Sequence, residues 1–181
     1  MKLLLALSGG IDSMYMAKRA LDGALFPYDF TFCAAHCNFA LRGEESDPDE
    51  SFVRQWCENN GIELFTAHFD TANYAAEHGI SIEMAARELR YDWFADLCTE
   101  YGFDATVVAH NADDNAETLL LNMLRGCGSR GMRGMSPDSG AFPRRILRPL
   151  LETSREEITS FMTSHGLSWR EDRTNAELLY K

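Results

Sequence analysis

Along the chain, short unbroken aliphatic runs alternate with stretches in which apolar residues recur every three or four positions. The runs have the length of buried strands and the stretches have the period of helices. Lys2 to Leu7 (KLLLAL) reads as a strand buried on both faces, and Met14 to Leu25 as a helix. Asp29 to His36 gives a second strand, and Ser46 to Asn60 a helix with Asp47, Pro48 and Asp49 in its first turn and Gly61 as its stop. Ile62 to His68 is a third strand. Ser81 caps a long helix that runs through Tyr101 to Gly102, and Asp104 to Ala109 is a fourth strand. A further helix covers about Ala112 to Arg125. Five glycines and two prolines make Gly126 to Arg144 a long connection, followed by a fifth strand over Ile146 to Leu151. Ser154 and Glu157 then stand at capping-box spacing at the start of a helix that ends near Gly166. This alternation predicts an α/β fold, a three-layer sandwich on a mostly parallel five-stranded sheet. Ligands of such a sheet sit beyond the carboxyl ends of the strands, here in the loops after strands one, two and four.

Length and composition narrow the picture. With 181 residues, 45% of them hydrophobic, the chain suits one domain with a self-sufficient core. The aliphatic start is too short for a signal-peptide core or a membrane span, so a soluble, cytoplasmic protein with no membrane partner is expected. Five cysteines without a CxxC pair read as reduced packing residues, not as a zinc site or a disulfide framework. The net charge of −11 disfavours non-specific attraction to a polyanion. Its distribution is uneven. Arg125, Arg130, Arg133, Arg144, Arg145 and Arg148 face Asp138 alone within one segment, a net of +5 that leaves −16 elsewhere. That segment is either a phosphate-binding surface or a solvated loop.

The candidate chemistry begins at Ser8-Gly9-Gly10-Ile11-Asp12-Ser13, between the first strand and the first helix. A glycine-rich turn lets backbone N–H groups approach a ligand, the helix N-terminus favours anions, and two serines add hydroxyl donors. In outline this is a phosphate cradle. It lacks the lysine of GxxxxGK[ST] and the spacing of GxGxxG. Asp12 suits an anion site only by holding the loop or by meeting a cation that accompanies the phosphates. A second concentration of charge is His110, Asp113, Asp114 and Glu117 at the next-to-last predicted helix start, where acids also complement the helix dipole.

The hexapeptide resembles the SGGxDS loop of the ATP pyrophosphatases, enzymes that split ATP between the α and β phosphates. Three longer stretches, HCNFALRGEESDPDESFVRQWCENNGI, SIEMAARELRYDWF and AHNADDNAETLLLNMLRGCGSRGMRGM, resemble the tRNA(Ile)-lysidine synthetase family, as do RILRPLLETSREEI and LSWREDRTN. The likeness runs through nearly the whole chain in order. It departs from the family's common pattern at Ala40 and Asn111, where histidine is usual. The resemblance implies an adenine nucleotide alpha-hydrolase-like fold, ATP and Mg2+ as cofactors, and tRNA(Ile) and L-lysine as partners. It implies that residues 1–181 form the catalytic domain, ahead of C-terminal tRNA-binding domains. A homodimer is entertained as the assembly.

By the same resemblance, ATP activates the C2 oxygen of a wobble cytidine, and free lysine then displaces AMP. Ser8, Gly9, Gly10, Ile11, Asp12 and Ser13 are the nucleotide cradle. Asp12, Asp114 and Glu117 are the catalytic candidates. Arg90, Asp114, Glu117, Asn38, Arg42, Arg125 and Arg130 are the substrate contacts, with Asp114 and Glu117 assigned to the lysine ammonium groups. No residue is assigned as a metal ligand. Trp56, Trp93 and the phenylalanines are read as core. A tRNA thiolation enzyme of the same superfamily, or a non-catalytic nucleotide sensor, stays open as an alternative.

Overall fold

In the computed structural model, which describes residues 1–39, 47–126 and 134–170, strand β1 (Lys2–Ala6) is the centre of the sheet. Its three leucines are fully buried because both faces of the strand are covered. Side chains alternate across a strand. Leu3 and Leu5 therefore join one core, with helix α1 (Ile11–Leu21), Val53 and Cys57 of α2 (Asp47–Asn59) and Ile158 and Met162 of α6 (Arg155–Ser164). Leu4 joins the other core, with Ala35 of β2 (Thr31–Asn38), Phe103, and Phe94, Leu97 and Cys98 of α4 (Ile82–Tyr101). This is the expected three-layer sandwich.

The sheet has the order β3-β2-β1-β4-β6-β5, with β3 at Leu64–His68, β4 at Ala105–Val107, β5 at Asp138–Ser139 and β6 at Ile146–Leu147. All pairs are parallel except β5 with β6. The expected count of five strands is corrected to six. Two-residue β5 is an edge strand with no hydrophobic run of its own. It is held by the register of Asp138 on Leu147 and by the two bonds from Arg145 to the Asp138 carboxylate, so no periodicity announced it. β6 also stops at Leu147 instead of Leu151, because Pro149 has no N–H to donate to a ladder.

Two other differences matter for the site. Helix α1 begins at Ile11, three residues before the expected Met14, so Asp12 and Ser13 lie in its first turn. β2 runs on to Asn38, which is a buried strand residue and not part of the loop after the strand. One helix was missed: α3 (Thr71–His78), capped by the Asp70 carboxylate on the Asn73 N–H and packed against α4. The long helix is as expected. Ser81 accepts from the Met84 N–H, and Gly102, at φ 68°, ends it in the left-handed conformation that glycine adopts without a steric penalty. Helix α5 (Ala112–Leu124) completes the set. The chain leaves β1 towards β3 and returns to β4 on the other side of β1, so a switch point lies between β1 and β4 at their carboxyl ends.

Candidate functional site

Residues 8–13 fill that switch point. Gly9 has a φ of 90°, which turns the chain sharply out of β1, and Gly10 is the N-cap of α1 with no side-chain cap. The buried Ser13 hydroxyl donates to the Gly10 carbonyl at 2.9 Å and accepts from the N–H groups of Ser8 and Gly9, both at 3.2 Å. Ser8 Oγ accepts from the Gly10 N–H at 3.2 Å. Three successive N–H groups thus converge on hydroxyl oxygens inside the turn. Such a concave run of donors at an uncapped helix start accepts phosphate oxygens in place of those hydroxyls.

Three helix N-termini are tied together beside the turn. The Ala112 N–H of α5 donates to the Thr153 carbonyl at 3.0 Å, and the Arg155 N–H of α6 donates to Asp113 Oδ2 at 2.8 Å. Asp12 of α1 accepts from Asn111 Nδ2 at 3.1 Å and forms an ion pair with Arg155 at 2.8 Å. Burial pushes the Asp12 carboxyl above its ordinary pKa, against the pull of Arg155 and of the Asn111 bond. Asn111 is fully buried and forms a reciprocal capping box with Asp114, each bond 3.0 Å. Asn111→Ala removes that cap and the bond to Asp12 together. It is expected to lower stability by about 1 to 2 kcal/mol, read from urea unfolding.

A cavity of about 220 Å³ opens behind the turn. Its walls come from the ends of β1 (Leu7), β2 (Ala35, Cys37) and β4 (Val108), and from Arg90 and Phe94 of α4. The Arg90 guanidinium lies 5.0 Å from the Phe39 ring centre, whereas Arg87 lies over Tyr91 at 5.1 Å. Only Arg90 of the two lines the cavity. Burial pushes the Cys37 thiol up to about 12, so it is not a thiolate near neutral pH.

Two histidines stand at strand ends. His36 Nδ1 is 2.8 Å from the Leu7 carbonyl, and His110 Nδ1 is 3.2 Å from Arg148 Nε. Burial lowers both pKa values, with Arg148 adding to the effect at His110. Folded chains therefore bind fewer protons than unfolded ones just below the ordinary histidine value of 6.5. That contribution to stability is complete above that pH and is lost as pH falls through it, because the unfolded chain takes up the protons first. Urea midpoints measured across that range check this; a flat profile contradicts it.

The expected cradle, Ser8 to Ser13, is assembled as one unit, and Asp114 and Arg90 stand beside it. Glu117 is exposed one turn further along α5. Arg125 is the C-cap of α5, about 16 Å along the axis from Asp114, so it belongs to a different part of the surface. Asn38 is bonded to Glu50 at 3.4 Å. Burial raises the Glu50 carboxyl, but bonds from Arg54, His68 and Asn38 outweigh it and leave its pKa lowered. Arg42 and Arg130, like Ala40, Gly43, Cys127 and Arg133, lie outside the described residues.

The basic segment is partly neutralised. Arg144 pairs with Asp92 and Arg145 with Asp138, both at 2.7 Å, and Arg148 turns inward. Arg155 was overlooked. Its place in a helix first turn, where the dipole disfavours a cation, does not say which carboxylates meet it, and its partner Asp12 is far away in sequence. Phe39 and Phe94 line the cavity as well as packing, which no spacing distinguishes from core.

Among known proteins, the family described as PP-loop domain matches residues 1–181. A tRNA(Ile)-lysidine synthase of Bacteroides thetaiotaomicron is 49% identical over 176 residues, 97% of this chain and 39% of that protein. One of Chlorobaculum tepidum is 44% identical over 177 residues, 98% of this chain and 52% of that protein. The chain thus spans about two fifths to one half of the length of these relatives. Among solved structures, the U34-tRNA thiolase NcsA from Methanococcus maripaludis with its [4Fe-4S] cluster matches with a TM-score of 0.74 at 21% identity, covering 94% of this chain and 59% of that one. At that identity the likeness speaks for the fold alone.

Proposed function

The chain belongs to the PP-loop domain family, and from that premise we propose that it catalyses ATP-dependent ligation of L-lysine to C2 of the wobble cytidine of tRNA(Ile). The observation that carries this reading is the convergence of the Ser8, Gly9 and Gly10 N–H groups at an uncapped helix start, in a chain 49% identical to a tRNA(Ile)-lysidine synthase.

In this proposal the turn from Ser8 to Ser13 holds the β and γ phosphates, and the cavity between Leu7, Phe94 and Val108 takes the adenosine. The cytidine O2 attacks the α phosphorus and pyrophosphate leaves. The ε-amine of lysine then attacks C2, loses a proton, and AMP departs with the former O2. Asp114 and Glu117 are the carboxylates proposed to meet the lysine ammonium groups. Asn38, Arg42, Arg90, Arg125 and Arg130 are proposed to contact the substrates, with Arg125 and Arg130 on the tRNA. The raised pKa of the high-lying Cys37 thiol supports ligation over sulfur relay by that residue.

Among the described residues no group of three or more His, Cys, Asp or Glu side chains is placed to hold a metal. Mg2+ carried mainly by substrate phosphates needs only one or two protein carboxylates. Asp12, beside the turn, would be the one to hold it, and the ion would neutralise charge on the phosphates. No helix of the described residues is long and apolar enough to cross a membrane. A cytoplasmic location and a homodimer are further parts of the proposal.

The test is release of AMP and pyrophosphate from ATP that requires both lysine and tRNA(Ile). Turnover with sulfide or ammonia in place of lysine contradicts the proposal. Asp12→Asn is expected to lower that turnover at least about 100-fold, because the carboxylate anchors the turn to Asn111 and Arg155 as well as meeting the ion.

A further inference from the structure

An arginine is only ever a hydrogen-bond donor, so the nitrogen it meets must accept. Arg148 Nε lies 3.2 Å from His110 Nδ1. That nitrogen is then unprotonated, and the proton of the neutral ring is on Nε2. Three other histidines have the opposite arrangement: Nδ1 of His36, His78 and His165 each lies 2.8 to 2.9 Å from a backbone carbonyl, which can only accept. Arg148 is itself firmly placed. Its Nη1 donates to the Ser136 carbonyl at 2.9 Å and to Ser139 Oγ at 2.7 Å, and its N–H donates to the Pro137 carbonyl at 2.8 Å. The strand pair β5–β6 thus holds the guanidinium against the end of β4.

We propose that Arg148 is a positioning residue that fixes His110 as the Nε2–H tautomer, so that the ring offers the cavity a donor and meets an acceptor oxygen there, not an amine. His110 lines the cavity, and with Nδ1 turned to Arg148 the nitrogen left for a ligand is Nε2. The acceptor would be a phosphate or carbonyl oxygen of the bound substrates. This assignment of the ligand rests on the nucleotide reading above; the tautomer does not. Burial and the cations Arg148, Arg87 and Arg90 oppose a second proton on the ring, and Asp114 favours it. A neutral donor is useful in such a place because it leaves the lysine ammonium to the carboxylates.

The experiment is nitrogen-15 NMR of the histidine-labelled chain at neutral pH, with the His110 signals assigned through His110→Gln. The expected spectrum has a pyridine-type Nδ1 and a pyrrole-type Nε2 for His110, and a pyrrole-type Nδ1 for His36, His78 and His165. Arg148→Met is expected to lose the fixed tautomer and Arg148→Lys, which keeps a donor, to recover it. AMP is expected to shift the Nε2 signal, and cadaverine, an amine without acceptor oxygens, to leave it in place. A pyrrole-type Nδ1 in the unsubstituted chain, a tautomer indifferent to Arg148→Met, or a shift with cadaverine alone overturns the inference. The Gly9 and Gly10 amide signals report separately on ATP, whose β and γ phosphates the turn is proposed to hold. If they stay still, the nucleotide reading fails, while the tautomer still decides the role of Arg148.

Discussion

Gly9→Ala is expected to reduce the proposed release of pyrophosphate from ATP by about 100-fold or more while the chain still folds. At a φ of 90° a residue with a Cβ is strained, at a cost of about 1 to 3 kcal/mol. The new methyl would stand 3.4 Å from Val53 Cγ2 and 3.6 Å from Arg170 Cγ, ordinary van der Waals contact, so the strain lies in the backbone and not in the space around it. The chain relieves this by rotating the Ser8 to Gly10 peptides, and those carry the three converging N–H groups. The Gly9 carbonyl also accepts from the Arg170 N–H at 2.9 Å, so rotation costs that bond too. Single-turnover assays beside a thermal melt check the expectation. A variant that melts well below the parent, or one that retains full turnover, contradicts it.

Phe103→Ala carries the largest expected effect on stability, about 3 to 5 kcal/mol, a substantial part of what an ordinary domain has to lose. Phe103 is 1% exposed, its ring meets Phe65 edge-on at a centroid distance of 6.0 Å, and Lys2 Nζ lies 4.8 Å above it. It plugs the second core beneath α4, with Leu4, Ala35, Phe94, Leu97 and Cys98. α4 carries Arg90, so loosening this core also disturbs the cavity wall. Urea unfolding should show a lower midpoint with an unchanged slope. A loss below about 1 kcal/mol would mean that the cavity collapses freely.

Helix starts and stops were legible wherever the capping residue acts locally. Ser81, Ser154 and Gly102 do what their positions promise, since each satisfies backbone groups within three or four residues of itself. The same reasoning applied to Asp70 and Gly79 would have found α3. The turn from Ser8 to Ser13 was legible for a similar reason: two glycines between an aliphatic run and a helix mark a sharp change of chain direction. Arg148 and Arg155 were not legible as site residues. Their partners, His110 and Asp12, are 38 and 143 positions away in sequence, and no local pattern encodes a contact at that range.

The sequence by itself determined the alternation of strands and helices, the place of the glycine turn from Ser8 to Ser13, and the acids at the start of α5, because periodicity, backbone freedom and capping are properties of neighbouring residues. Tertiary structure alone decided that the starts of α1, α5 and α6 meet, that Asp113 and Asp114 serve helix ends, that Arg144, Arg145 and Arg148 are bonded within the fold, and that β5 exists. Those outcomes depend on which charged groups the packed sheet brings within a few ångströms of one another. Chain topology sets that distance, and spacing along the chain does not.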